Sequence, residues 1–238
     1  MQYPFFYINE YATSQTDILL EEETSRHVIQ VLRMKKGDKL HLTDGRGHLI
    51  TATVLEEHKK HCTVRVGDVQ FVPGPDRPAM VGISLLKNTS RFEWFLEKAT
   101  ELGVSELIPM LCTRTEKQSF RPDRMKNILV SAMLQSQQVW LPVLHAPIDY
   151  SLLFRQQEVA DAANKFIAHC MEGEKTNLSV AADASTGSRL ILIGPEGDFT
   201  AAEANLALQN HFIPVSLGDT RLRAETAGMV AATLLCLV

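Results

Sequence analysis

The chain has 238 residues, with 24 Lys and Arg against 28 Asp and Glu and a formal charge of −4 at pH 7. At 45% hydrophobic and 22% charged residues, with 13 Gly and 10 Pro, it is neither collagen-like, low-complexity nor wholly disordered. The acidic balance taken alone does not suggest a nucleic-acid binder, and the length suits one large domain or a small plus a medium one.

The N-terminal MQYPFFYINE lacks a basic stretch leading into an apolar one, so no secretory leader is expected. Residues 3–8, 39–43, 48–56 and 61–72 form short alternating runs, separated by turn signals at 36–38, 44–47 and 57–60. That spacing predicts a small antiparallel β-barrel. Val28, Val31 and Leu32 recur at helical spacing and predict one helix over 25–33. Residues 72–78, VPGPDRP, place three prolines and a glycine together, which no strand or helix interior accepts. The organisation read from this is a barrel domain over 1–72, a linker over 73–78 and a second domain over 79–238.

In the second domain buried strands alternate with helices, the pattern of a parallel α/β sheet. The predicted strands are 80–86, 106–110, 165–169, 190–193 and 213–217. A capping box at Ser90 and Glu93 opens one helix, with Phe92, Phe95, Leu96, Ala99 and Leu102 on one face, and Thr200 with Glu203 opens another. The apolar run 227–238 is about half the length that spans a bilayer and reads as a buried helix. Cys62, Cys112, Cys170 and Cys236 are widely spaced with no CxxC pair. Neither a disulfide framework nor a zinc ribbon is expected, and a reducing cytoplasm is the simplest compartment. His58, His61 and Cys62 flank a polar turn without a second cluster, so no metal is expected.

Three segments carry chemistry. LILIGPEGDFT (190–200) is a strand, a glycine-bracketed loop and a capped helix; open α/β sheets bind ligands at such strand ends. A βα turn whose glycines only supply unusual dihedrals fits the same spacing. VSLGDTRLRAETAG (215–228) ends a second strand at a glycine and feeds a helix beginning near Glu225. Arg223 and Glu225 read either as a local ion pair or cap, or as an arginine facing an anionic substrate group with a carboxylate orienting it. In LLKNTSRFEW (85–94), Lys87 and Arg91 stand where a strand hands over to a helix N-terminus, a place suited to phosphate.

The segments SRHVIQVLRMKKGDKLHLTDGRG, LLKNTSRFEWFLEKATELGVSELIPM, ILIGPEGDFTAAE and SLGDTRLRAETA resemble, in order, the signature regions of the 16S ribosomal RNA uridine-N3 methyltransferase (RsmE-like) family of the SPOUT class. The resemblance implies a PUA-like barrel before an α/β domain with a deep trefoil knot. It implies S-adenosylmethionine as cofactor, walled by Ile193, Gly194, Pro195, Glu196 and Gly197, by Ser216, Leu217, Gly218 and Leu222, and by a third wall near His169 and Cys170. For that family's reaction Arg223 and Glu225 are the expected catalytic residues, Arg223 stabilising the developing imide anion or a nearby phosphate and Glu225 orienting Arg223 or assisting proton loss. The resemblance also implies a homodimer using the C-terminal helix as interface and 16S ribosomal RNA, within the small subunit, as partner. RNA contacts are expected at Arg26, His27, Arg33, Lys35, Lys87, Arg91 and Arg114, with Lys36, Lys117, Arg121 and Arg124 beside them. The family pattern has glycine at Asp198, arginine at Thr220, an aliphatic residue at Arg221 and arginine at Gln138. Other readings are a methyltransferase of the same fold for another RNA site, and a ribosome-assembly factor that binds RNA without catalysis. Residues 24–48 hold six basic against two acidic side chains, so the acidic total averages over a basic surface and an acidic remainder.

Overall fold

The computed structural model describes residues 3–116 and 119–237. The chain divides into two compact units, Met1–Gly74 with Met133–Leu141, and Pro75–Ala132 with Pro142–Val238.

The first unit contains β1 (Phe5–Tyr7), β2 (Asp17–Leu19), α1 (Glu22–Arg26), a π-helical turn (His27–Val31), β3 (Lys39–Thr43), β4 (His48–Glu56) and β5 (Thr63–Phe71). They form one sheet in the order β1-β3-β4-β5-β2. Alternation in β4 sends Ile50, Ala52 and Val54 inward, where they meet Phe6, Ile18, Leu40, Leu42 and Val64. The expected antiparallel pairing holds for β2 to β5, whereas β1 lies parallel to β3. The helix expected over 25–33 is instead the short α1 followed by the π-helical turn. Wider winding moves Val31 and Leu32 out of a common face with Val28: Val28 is buried, while Val31 and Leu32 are exposed.

Residues 133–141 fall inside the stretch expected to form the second domain but pack with the first unit. Backbone hydrogen bonds hold them there: Gly47 N–H donates to Val139 O (2.9 Å) and Leu141 N–H donates to Gly45 O (2.9 Å). Such long-range pairing has no local sequence signal.

The second unit runs β6 (Ala79–Ser84), α2 (Thr89–Glu101), β7 (Glu106–Leu111), α3 (Pro122–Gln135, whose last turn belongs to the first unit), β8 (Val143–Leu144), β9 (Ile148–Asp149), α4 (Tyr150–Leu153) and α5 (Gln157–Ala160). It continues with β10 (Asn164–Ala168), β11 (Thr176–Asn177), α6 (Leu178–Asp183), β12 (Arg189–Ile193), α7 (Ala201–Gln209), β13 (Ile213–Ser216) and α8 (Ala224–Leu237). The strand order is β11-β13-β10-β12-β6-β7-β8, with β9 also on β7, and these pairs are parallel. Every residue of β6 and β12 is buried, which explains their largely apolar sequences, Ser84 and Arg189 at the strand ends being the exceptions. The capping box at Thr200 and Glu203 forms. The one expected at Ser90 does not: Asn88 is the cap of α2, its side chain accepting from Ser90 N–H. Among the described residues no helix is long and apolar enough to cross a membrane.

Candidate functional site

β10, β12 and β13 are neighbours in the sheet, with β10 in the middle. Parallel strands bring their carboxyl ends to one edge, and the loops that leave these three strands surround a cavity of about 640 Å³. That volume falls within the range of small-molecule sites. Ile193, Gly194, Pro195, Glu196, Ser216, Leu217, Gly218, Leu222 and Arg223 line it, as do His169 and Cys170.

Two of the expected site residues lie elsewhere. Gly197 is not in the lining; its carbonyl accepts from Arg114 Nη1 at 2.6 Å, and a Cβ there would stand 3.2 Å from Arg114 Cδ. Glu225 is also outside the lining and does not orient Arg223. Its carboxylate is buried in the first turn of α8 and pairs with Arg91 of α2, Oε1 to Nε at 3.5 Å, while Oε2 has no hydrogen-bond partner. The N-terminus of a helix is a favourable place for a carboxylate. The reading in which Glu225 serves as a local partner of Arg223 fails because the nearest guanidinium comes from another helix.

The loop after β12 is fixed at several points. Glu196 Oε1 accepts from Lys87 N–H at 3.0 Å, Asp198 Oδ2 from Cys170 N–H at 2.8 Å, and Asp198 Oδ1 from Phe199 N–H at 2.8 Å. Glu203 continues the staple: Oε1 accepts from Thr113 N–H, and Oε2 from the Thr200 N–H and hydroxyl. Burial raises the Glu203 carboxyl, but these donated hydrogen bonds outweigh it and hold the group below the usual carboxylate range. Gly194 closes the turn, since a Cβ there would stand 3.1 Å from the Phe199 nitrogen and ring. In the loop after β13, Gly218 has φ +127 and its N–H donates to Ser216 Oγ, a conformation that favours glycine.

Asp198 has φ 64, a left-handed position where the resembled pattern carries glycine. Its carboxylate makes two backbone hydrogen bonds that glycine cannot supply. Asp198→Ala is expected to lower stability by about 1–3 kcal/mol, through lost hydrogen bonds and a Cβ kept in the left-handed region. Asp198→Gly loses the bonds but relaxes the backbone, and is expected within about 1 kcal/mol of the parent. Denaturant midpoints measure both, and equal losses would remove backbone strain from the account.

Burial lowers the pKa of His169, Lys175 lowers it further and Asp198 opposes them, a balance that favours the neutral ring. Its Nδ1 is buried without a hydrogen-bond partner. Lys175, Asp219, Thr220 and Arg221 also line the cavity; the sequence pattern marked Thr220 and Arg221 only as departures from the resembled family, and Lys175 and Asp219 not at all. The dense charge of DTRLR was the available signal for Asp219, Thr220 and Arg221; Lys175 had none.

The expected RNA-contact residues divide between the units. Arg26, His27, Arg33 and Lys35 are exposed on the first, Arg26 paired with Glu22 and Lys35 with Glu57. Lys87, Arg91 and Arg114 belong to the second. Lys87 is bound to Glu116 at 2.6 Å, which raises its pKa, and Arg114 is held on Gly197. Arg124 forms a two-pronged pair with Glu93. Lys117 lies outside the described residues. His58 and His61 stack with ring centroids 5.2 Å apart, and among the described residues no group of three or more His, Cys, Asp or Glu is arranged to hold a metal ion.

The larger unit is a parallel α/β sheet with a ligand-sized cavity at its strand ends, and the smaller is a β unit, the organisation of a two-unit α/β protein with a small-molecule-sized site on its larger sheet. A family model described as an RNA methyltransferase domain matches residues 74–236, and one described as an RNA methyltransferase PUA domain matches residues 20–67. The chain belongs to this RNA methyltransferase family, as its four signature segments led one to expect. It is 26% identical to "Ribosomal RNA small subunit methyltransferase E" of Rickettsia conorii, over 97% of this chain and 94% of that one. The crystal structure of a probable rRNA-methyltransferase from Porphyromonas gingivalis is 36% identical, covers 96% of this chain and 95% of its own, and superposes with a TM-score of 0.85. A ribosomal RNA small subunit methyltransferase E from Neisseria gonorrhoeae, solved bound to S-adenosyl methionine, is 25% identical over 97% and 95% of the chains with a TM-score of 0.84.

Proposed function

We propose that this protein transfers a methyl group from S-adenosylmethionine to N3 of a uridine in 16S ribosomal RNA. The observation that carries the reading is the three-loop cavity with Arg223 in its lining, in a chain of the RNA methyltransferase family.

The cavity suits the cofactor chemically. Ile193, Val215, Leu217 and Leu222 offer apolar surface to a purine, and the strand ends offer backbone polar groups for the sugar and amino-acid portions. His169, whose pKa burial lowers, is favoured in the neutral form that does not repel a sulfonium. When bound, S-adenosylmethionine supplies an electrophilic methyl whose leaving group is a neutral thioether, so the transfer needs no metal.

The chain's task is to hold the uracil N3 in line and to favour loss of its proton, since the neutral imide is a weak nucleophile. Arg223 is exposed at the cavity, and its permanent charge stabilises the imide anion as the N3 proton passes to water. Glu225 is a positioning residue: through Arg91 it fixes a second cation on the helix that follows the Lys87 loop. A uracil reaches such a site only when unstacked, so the substrate segment is single-stranded or splayed.

The reading includes a homodimer. α8 leaves Met229, Val230 and Leu234 half-buried and Leu237 exposed, apolar surface that a second copy covers. It further includes the trefoil knot around the cavity loops and a cytoplasmic location with the small ribosomal subunit as partner. The test is to map uridine-N3 methylation on 16S ribosomal RNA from a strain lacking the gene. One modification is expected to vanish and to return with the restored gene; an unchanged pattern would defeat the reading.

A further inference from the structure

The first unit carries an aromatic cluster that the proposed reaction does not use. Phe71 and Trp140 are 59% and 36% exposed, and their rings meet edge to face with centroids 6.1 Å apart. Single exposed apolar side chains need no explanation. These two are different because the fold locks them together.

Three sets of bonds do so. Gly47 N–H donates to Val139 O and Val72 N–H donates to Gly47 O, so the Gly47 strand end is held from both sides. Trp140 Nε1–H donates to Val72 O at 2.9 Å. Below, Asp44 is buried, accepts from Arg46 N–H at 2.9 Å and holds His48 Nδ1 at 2.8 Å. The His48 ring lies edge to face against Phe71. Gly47 has φ +96, and a Cβ on it would stand 2.7 Å from Trp140 Cζ2 and 2.8 Å from Phe71 Cε2; only glycine lets both rings close over this point.

Arg46 is the antiparallel bridge partner of Trp140, and such partners project their side chains from the same face. Its exposed guanidinium makes no hydrogen bond or ion pair among the described residues. We infer that Phe71, Trp140 and Arg46 form a stacking platform for an unpaired RNA base, the rings taking the base and the guanidinium its phosphate. The inference rests on the RNA-modifying function proposed above. Rings fixed before binding lose little entropy when a base settles on them, and flat rings beside a cation are the usual combination for single-stranded RNA. A second copy of the chain is a poor occupant, because a stable protein interface engages roughly 20–30 residues a side.

Trp94 and Trp140 are the chain's two tryptophans, so a Trp94→Phe background makes Trp140 the sole indole reporter. Adding a short mixed-sequence single-stranded oligoribonucleotide is expected to quench its emission saturably, while the matching duplex leaves it unchanged. Phe71→Leu, which keeps apolar bulk, is expected to weaken single-strand affinity about tenfold, and Phe71→Tyr to retain it. Unquenched emission at saturating RNA, or Phe71→Leu binding as tightly as the parent, overturns the platform. So does emission that depends on protein concentration alone, which marks a contact between copies. Methylation assayed in parallel separates the two ideas. Transfer without quenching sinks only the platform, quenching without transfer sinks only the proposed reaction, and loss of both sinks both.

Discussion

Replacing Arg223 with alanine is expected to lower the rate of RNA methylation by about a hundredfold or more, while the affinity for S-adenosylmethionine changes less than about threefold. The Arg223 side chain makes no hydrogen bond or ion pair among the described residues and is exposed at the cavity. Its removal therefore leaves the fold within about 0.5 kcal/mol of the parent. What is lost is a fixed positive charge beside the place where the imide becomes anionic, an effect confined to the reacting state. Arg223→Lys keeps the charge but not the planar fork, and an intermediate rate is expected. Single-turnover kinetics and calorimetric titration with the cofactor measure the two effects separately. An equal loss of rate and cofactor affinity would mean that Arg223 holds the cofactor instead, and an unchanged rate would remove it from the chemistry.

Arg223 and its loop were legible in the sequence because their signals are local. A strand ending in glycine, a charged loop and a helix start are written in consecutive residues, as are the β12 run and the Thr200 capping box. Strands of two residues, such as β8, β9 and β11, are too short to show any period. The parallel seating of β1 on β3 and the docking of Val139 on Gly47 depend on chain segments that meet only after folding. The partner of Glu225 was hidden for the same reason: LRAET shows an arginine two residues away, whereas the folded chain supplies Arg91 from α2. Where two cap-forming residues lie close together, as Asn88 and Ser90 do, sequence pattern does not rank them. The aromatic platform was invisible because Phe71 and Trp140 belong to distant segments and Gly47 looks like an ordinary turn glycine.

The α2–α8 contact that brings Arg91 to Glu225 has its own point of failure at Gly228. A Cβ on Gly228 would stand 2.7 Å from Phe95 Cε2, 2.9 Å from Phe95 Cδ2 and 3.1 Å from Ile83 Cδ1. Phe95 and Ile83 are fully buried, so neither ring nor side chain has free space to retreat into. Gly228→Ala is therefore expected to destabilise the protein by about 1–3 kcal/mol despite the better helix propensity of alanine, and Gly228→Val by more. The strain is relieved only by moving α8 away from α2 and β6. That movement shifts Ala224 and Ala227, which line the cavity, and separates Glu225 from Arg91. Weakened cofactor binding should accompany the lost stability, in contrast to Arg223→Ala, where the two part company. Adding Phe95→Leu to Gly228→Ala makes room for the new methyl group, so the double variant should be less destabilised than the sum of the single ones. Additive losses would place the cause outside this contact, and a Gly228→Ala protein as stable as the parent would show that α8 is not held by close packing at this point.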